Sequence, residues 1–128
     1  MKLSEYFESA QGVGVLATAD ADGKVNAAVY ARPFFLDPND EDTLAFIMAD
    51  RLSHANVQAN PHAAYLFIEA GPGYSGKRLS LSRVREETDP DKIEALRRRC
   101  TAEECEEEKT RFLVYFHVDG IRPLIGDG

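Results

Sequence analysis

The chain has 128 residues, of which 44% are hydrophobic, and its formal net charge at pH 7 is −7. A chain of this length and composition forms a core without disulfides or metal ions, so we expect one domain spanning residues 1–128. The acidic balance disfavours binding to nucleic acids or anionic membrane surfaces. No secretory leader or membrane-spanning run is recognisable, which predicts a cytoplasmic protein.

Hydrophobic periodicity predicts the first elements of the chain. Apolar residues at helical spacing indicate a helix over residues 3–10. Two apolar runs, 13–19 and 24–32, flank an Asp-Gly pair at 22–23 that is typical of a tight β-hairpin. A further apolar run predicts the third strand over 43–49.

A short polar helix follows the third strand, within the sequence "DRLSHANVQANP". Either Asp50 or Ser53 is suited to cap it, and we favour Ser53 because Arg51 then lies beside the open N–H groups. The first turn of a helix favours anions, so the Arg51 guanidinium, the Ser53 hydroxyl and these N–H groups form a candidate phosphate seat. A solvated connector with no ligand accounts for the same residue types.

The second half of the chain predicts three more strands, over 62–70, 77–87 and 110–118. The first two are joined by the glycine-rich segment 71–78, which is either a flexible turn or the lip of a ligand cleft. Arg83 interrupts the apolar pattern of its strand. This indicates either a β-bulge or an arginine that faces a polar ligand or a subunit boundary.

A charged helix is predicted between the last two strands, beginning with Asp89 and Pro90 and continuing to residue 109. Cys100 and Cys105 lie within it without the spacing or the partner histidines of a metal site. We therefore expect no bound metal.

The strands are close together and the helices few, which predicts a mostly antiparallel barrel. Strands 43–49, 62–68 and 112–118 are apolar on both faces, whereas a half-buried strand alternates with polar residues. Three short helices cannot cover the whole outer surface of such a barrel. We therefore expect another molecule to cover part of it, in an obligate homodimer.

No catalytic motif is recognisable in this sequence. It contains no nucleophile triad, zinc-protease motif, phosphate-binding loop or dinucleotide fingerprint. His117 lies in an apolar strand, where a lone histidine is usually a packed structural residue. The catalytic residues therefore stay unassigned.

Three segments together resemble the pyridoxamine 5'-phosphate oxidase-like family of flavin-binding split barrels: "GVGVLATADADGKVNAAVYARPFF", "TLAFIMADRLSHANVQANPHAAYLF" and "GPGYSGKRLSLSRV". The resemblance covers nearly the whole chain. It implies a mainly β (α+β) fold, a six-stranded antiparallel Greek-key split barrel with short peripheral helices. It also implies a homodimer that binds FMN noncovalently at the subunit interface.

In that family the flavin ring lies along the second and third strands, and the phosphate is held by the turn and helix start that follow. The resemblance implies twelve cofactor-binding residues: Asn26, Ala27, Ala28 and Val29 beside the ring, Met48 and Ala49 at the strand end, Arg51, Leu52, Ser53 and Asn56 near the phosphate, and Ser82 and Arg83 from the partner subunit.

The implied activity is that of a small FMN-dependent oxidoreductase. Asn26 and the turn "RLSH" depart from the pattern of authentic pyridoxamine phosphate oxidases, so we do not expect that substrate. One alternative is a flavin-holding electron carrier; a cleft lined by Tyr30, Tyr74 or His117 would favour the enzyme instead. Another is a barrel that holds a deazaflavin or a haem, with His54 or His117 as haem ligands.

Overall fold

The computed structural model describes residues 2–97 and 111–126. In chain order the elements are α1 (Leu3–Ser9), β1 (Gly12–Ala19), β2 (Val25–Val29), β3 (Thr43–Ala49), α2 (Leu52–Ala59), β4 (His62–Glu69), β5 (Gly76–Glu87), α3 (Pro90–Arg97) and β6 (Arg111–Pro123). All six predicted strands are present. The hairpin turn is also confirmed, with Gly23 at φ +83°.

Two strands end more than one residue away from their predicted bounds. β2 ends at Val29 because the next two carbonyls, of Tyr30 and Ala31, accept hydrogen bonds from the Tyr65 hydroxyl at 3.1 and 3.2 Å. β6 continues to Pro123 because its second half pairs with β5. The charged helix is described only as Pro90–Arg97, and Cys100 and Cys105 lie outside the described residues.

The strands form one antiparallel sheet in the order β2-β1-β4-β5-β6-β3. After β2 the chain crosses to the opposite edge of the sheet, where the backbones of Phe34 and Ala45 exchange hydrogen bonds of 2.8 and 2.9 Å. The edge strands β2 and β3 thus face each other across a seam, with the rings of Tyr30 and Phe46 5.8 Å apart. This architecture confirms the predicted split barrel.

The barrel interior holds the main hydrophobic core. Tyr65, Phe67 and Phe116 are fully buried there. Leu3 and Phe7 of α1 and Val57 of α2 join the same cluster. The two helices therefore pack against the interior of the curled sheet.

The outer face of β3 and β6 is covered by α3. Ile93 and Leu96 form a second buried cluster with Ala45, Leu113 and Tyr115. The apolar outward residues of these two strands are therefore covered by α3 of the same chain. Burial of a second face by a helix explains why the strands do not alternate with polar residues.

The interruption at Arg83 is a β-bulge, one of the two predicted alternatives. The pairing of β5 with β6 shifts register between Arg83 and Arg85, and again between Ser80 and Leu81. The extra residue, Val84, is half exposed. Within the described residues, no helix is long and apolar enough to cross a membrane.

Candidate functional site

A cavity of about 260 Å³ opens at the seam between β2 and β3. We call it the seam cavity. Its walls come from β2 and the residues after it, from β3, from the start of α2, and from single residues of α3 and β6. The lining residues are Asn26, Ala28, Val29, Tyr30, Ala31, Arg32, Phe34, Phe46, Ile47, Ala49, Arg51, Leu52, Ser53, Arg97 and Arg111.

One part of the seam cavity is apolar and held rigidly. Phe46 extends from the core into the lining and meets the Tyr30 ring edge to face, at 81°. The Tyr65 hydroxyl fixes the backbone of Tyr30 and Ala31 from inside the barrel. Apolar and aromatic walls of this kind suit a flat ring system.

The polar part is the start of α2. Arg51 is its N-cap residue, in an extended conformation (φ −134°, ψ −174°), and makes no side-chain capping bond. The N–H of Ala55 donates to the carbonyl of Arg51 at 3.0 Å. The N–H groups of the three residues before Ala55 precede this bond, so they are the donors that a helix start offers to an anion.

The predicted cap at Ser53 or Asp50 is therefore wrong. The Arg51 N–H donates to the Ala49 carbonyl at 2.8 Å, which forms a tight turn directly after β3 and starts the helix at Leu52. Ser53 is the second helical residue, and its buried hydroxyl oxygen accepts a hydrogen bond from the Asn26 side chain at 3.3 Å. A hydroxyl that accepts one bond keeps its own proton to donate.

Four arginines line the seam cavity, and none of its lining residues within the described parts of the chain is Asp or Glu. Arg111 is paired with Ala49 across β6 and β3, so it lies beside the end of β3 that leads to Arg51. Arg32 donates to the carbonyl of Ala10 at 2.6 Å, at the end of α1. A cationic cavity in a chain of net charge −7 favours an anionic ligand.

A partly buried polar cluster around His54 supports the start of α2. The His54 ring stacks on Phe112 at 3.8 Å, and its Nε2 lies 3.1 Å from Glu86 Oε1. The same carboxylate oxygen accepts hydrogen bonds from Arg83 and Gln58. Burial acts to raise the pKa of Glu86, but the hydrogen bonds from these three side chains outweigh it and hold the pKa below its usual value.

Seven of the twelve predicted cofactor-binding residues line the seam cavity: Asn26, Ala28, Val29, Ala49, Arg51, Leu52 and Ser53. The other five do not line it in the single chain. Ala27 is exposed, Met48 is fully buried in the core, and the Asn56 side chain donates to Thr18 Oγ1 at 3.1 Å. Ser82 donates to Asp119 at 2.5 Å, and Arg83 pairs with Glu86 at 3.2 Å.

Of the residues considered for a substrate cleft or a haem, only Tyr30 lines the seam cavity. Tyr74 is 78% exposed on the loop between β4 and β5. His117 is exposed on β6, with its Nδ1 2.9 Å from Asp119 Oδ1. His54 is buried; its ring stacks on Phe112 and its Nε2 lies within hydrogen-bonding distance of Glu86.

Sequence reasoning missed the contributions of Arg32, Phe34, Arg97 and Arg111 to this cavity. None of them belongs to a local motif. Only the antiparallel pairing of strands 43–49 and 110–118 would have indicated Arg111, because it sets the start of the second strand against the end of the first.

The family model described as pyridoxamine 5'-phosphate oxidase matches residues 2–121 of this chain. Similar solved structures include an FMN-binding protein from Syntrophomonas wolfei subsp. wolfei, at 14% identity and a TM-score of 0.78 over 98% of this chain and 85% of that one. An F420 reductase is 18% identical, with a TM-score of 0.71 over 95% and 98% of the two chains.

A third similar structure is an FAD-binding protein from Mesorhizobium loti, at 19% identity and a TM-score of 0.59 over 88% of this chain and 83% of that one. No functionally curated protein matches the sequence. At these identities the likeness to solved structures concerns the fold.

Proposed function

Because the chain belongs to the pyridoxamine 5'-phosphate oxidase family, we propose that it is a homodimeric flavoprotein that binds FMN in the seam cavity and acts as a small oxidoreductase. One observation carries the proposal: the lining of the seam cavity joins an aromatic wall to a cluster of anion donors. FMN has the same two parts, a flat ring system and a phosphate.

The residues present fit the phosphate of FMN. Arg51 and Arg111 supply guanidinium groups, Ser53 supplies a hydroxyl, and the first turn of α2 supplies backbone N–H groups. All of these are donors, and phosphate oxygens are acceptors that form their strongest hydrogen bonds with charged donors. Asn26 fixes the Ser53 side chain from the opposite edge of the seam.

The apolar part of the lining fits the flavin ring, because the contacting rings of Tyr30 and Phe46 form one aromatic wall and Ala28 adds a small residue to the same lining. The bound flavin supplies the hydride or electron transfer, while the protein orients the ring and limits the access of water. No general acid or base is assigned among the lining residues.

The homodimer is supported by a partly exposed apolar surface on β2, β1 and β4. The strand register places its outward side chains in neighbouring rows across the three strands. We call this surface the outer apolar face; its residues are Val25, Ala27, Val29, Val13, Val15, Ala17, Ala64, Leu66 and Ile68. Val29 belongs both to this face and to the seam cavity, so a partner seated here would border the cofactor.

The test is a titration of the purified, flavin-free protein with FMN and with riboflavin, followed by quenching of flavin fluorescence. We expect one FMN per chain, and riboflavin to bind at least about tenfold more weakly because it lacks the phosphate. Equal affinities would contradict the assignment of the phosphate to α2. Absence of flavin binding would contradict the proposed function.

A deazaflavin is the second candidate cofactor, favoured by the similarity in fold to an F420 reductase. The same titration with F420 decides between them. Oxidoreductase activity is tested separately on the flavin-loaded protein, by turnover with NADH or NADPH and a dye acceptor. A bound flavin that exchanges electrons with protein partners but gives no turnover would indicate an electron carrier.

A further inference from the structure

Arg97 lines the seam cavity from a different element than the arginines near α2. It is the last described residue of α3, which packs through Ile93 and Leu96 on the outer face of β3 and β6. Arg51 and Arg111 instead come from the end of β3 and the start of β6. The cavity therefore receives guanidinium groups from two separate supports.

The Arg97 side chain is held in place but its hydrogen-bonding capacity is not filled. Its Nη1 lies 3.0 Å from Glu94 Oε2, and the side chain is only 19% exposed. Its Nε is buried and has no hydrogen-bond partner within the described parts of the chain. A buried donor without an acceptor among the described residues is unusual, because such groups are normally paired.

We propose that Arg97 binds a second anionic group, a carboxylate or a phosphate, in addition to the phosphate held at α2. This rests on the proposed function, since FMN carries a single phosphate and α2 takes it. The seam cavity then accepts a ligand with an oxyanion beside the cofactor. The source is either an anionic substrate or a cofactor with a second phosphate.

The main experiment uses FMN-loaded protein with inorganic phosphate and benzoate as probes. Binding is followed by the flavin absorbance spectrum and by the Nε–H signals of the arginines in ¹H–¹⁵N NMR, with the Arg97 signal identified by its loss in Arg97→Lys. We expect either probe to shift the Arg97 Nε–H signal without releasing FMN. Arg97→Gln should weaken probe binding about tenfold or more, as expected for loss of a charged hydrogen bond.

Two further variants control for folding and for general charge. Glu94→Gln removes the carboxylate that competes for Arg97, so it should strengthen probe binding. Arg122→Gln removes an exposed arginine of β6 outside the cavity and should leave probe binding unchanged. Thermal melting of each variant checks that the fold is retained.

Titration of the flavin-free variants with FMN and FAD separates the two sources of the anion. If Arg97→Gln weakens the binding of FAD much more than that of FMN, the second anion belongs to the cofactor. If the variant weakens the binding of phosphate and benzoate but not of either flavin, the second anion belongs to a substrate. Loss of FMN affinity as large as in Arg51→Gln would overturn the proposal, because Arg97 would then belong to the phosphate site. An Arg97 signal that no probe shifts would overturn it as well.

Failure of the proposed function gives a different result. If wild-type protein binds no flavin, phosphate is titrated into the flavin-free protein and the Arg97 Nε–H signal is followed again. A signal shift in the wild type that is lost in Arg97→Gln would support the anion site at Arg97, although the protein binds no flavin. Absence of a shift in the wild type would contradict both the anion site and flavin binding.

Discussion

Arg111 lines the seam cavity because of strand register. It is paired with Ala49, and Arg51 follows two residues later, so the two guanidinium groups come from adjoining ends of β6 and β3. Phe112, the next residue, stacks on His54 in the first turn of α2. This stacking holds the start of β6 against the helix start that offers its N–H groups.

We expect Arg111→Gln to weaken FMN binding by about tenfold or more, since a hydrogen bond to a charged group contributes about 1.5–3 kcal/mol. Riboflavin affinity should change little, because riboflavin has no phosphate to lose contact with. Fluorescence titrations of both ligands measure the difference, with Arg122→Gln as the control arginine. Equal losses for FMN and riboflavin would indicate a general effect on the cavity.

The predicted site residues come together where local chain geometry decides their position. Arg51, Leu52 and Ser53 all line the seam cavity because they are consecutive at one helix start. Residues predicted within strands are divided between two faces, because successive side chains point in opposite directions. Met48 accordingly lies in the core and Ala27 on the outer face.

At the scale of elements, α3 is attached to the sheet by a charged cluster around Glu87. Its carboxylate lies 2.5 Å from Arg85 and 2.9 Å from Lys92 of α3, and accepts a hydrogen bond from Tyr115. The Arg85 guanidinium also lies over the Tyr115 ring at 3.7 Å. Hydrogen bonds from Arg85 and Lys92 lower the pKa of Glu87 from 4.5 to about 2.

Stability should therefore depend on the charge of Glu87. A carboxylate whose pKa is lower in the folded state stabilises the fold above its unfolded pKa, and this contribution is lost as the pH falls toward the folded pKa. We expect the melting temperature of Glu87→Gln to lie below that of the wild type above about pH 5, with the gap closing between about pH 4.5 and 2. Glu8→Gln, at an exposed position on α1, is the control. A gap that does not change with pH would contradict the assignment.

Gly14 permits the close packing that fixes the end of β2. A Cβ at this position would lie 1.9 Å from the Tyr65 hydroxyl and 2.7 Å from the Tyr30 carbonyl. We expect Gly14→Ala to reduce the free energy of unfolding by about 1–3 kcal/mol, as overpacking does, and to weaken FMN binding by displacing the cavity wall. Urea denaturation measures the first effect. Gly120→Ala, where nothing lies within 4 Å of the new Cβ, should change neither.

At the scale of the whole molecule, the element types were predictable from local patterns, whereas the split-barrel assembly was predicted only through the family resemblance. Apolar runs and turn residues identified all six strands because these signals are local. The order β2-β1-β4-β5-β6-β3 depends on contacts between distant parts of the chain, and it is this order that creates the seam. Patterning showed that strands were apolar on both faces, but it could not show that α3 would cover two of them.

With the outer side of β3 and β6 covered by α3, the outer apolar face is the surface that supports a dimer. Val25 and Val29 are 79% and 74% exposed there, and Val13 is 52% exposed. Small residues at the centre, Ala17 and Ala64, are direct neighbours across β1 and β4. A contiguous apolar surface that crosses three strands is typical of a subunit interface.

Ala17→Glu tests this interface at its centre. The side chain at 17 points outward from β1, so a single chain would place the new carboxylate in water and keep its fold, whereas a dimer would bury two like charges together. We expect the wild type to have twice the 14.2 kDa chain mass in light scattering, and the variant to have the mass of one chain. Val84→Glu, at a half-exposed position on β5 outside this face, should remain dimeric. Since Val29 borders both the outer apolar face and the seam cavity, the monomeric variant should also bind FMN more weakly than the wild type. If Ala17→Glu stays dimeric, the interface lies elsewhere on the chain.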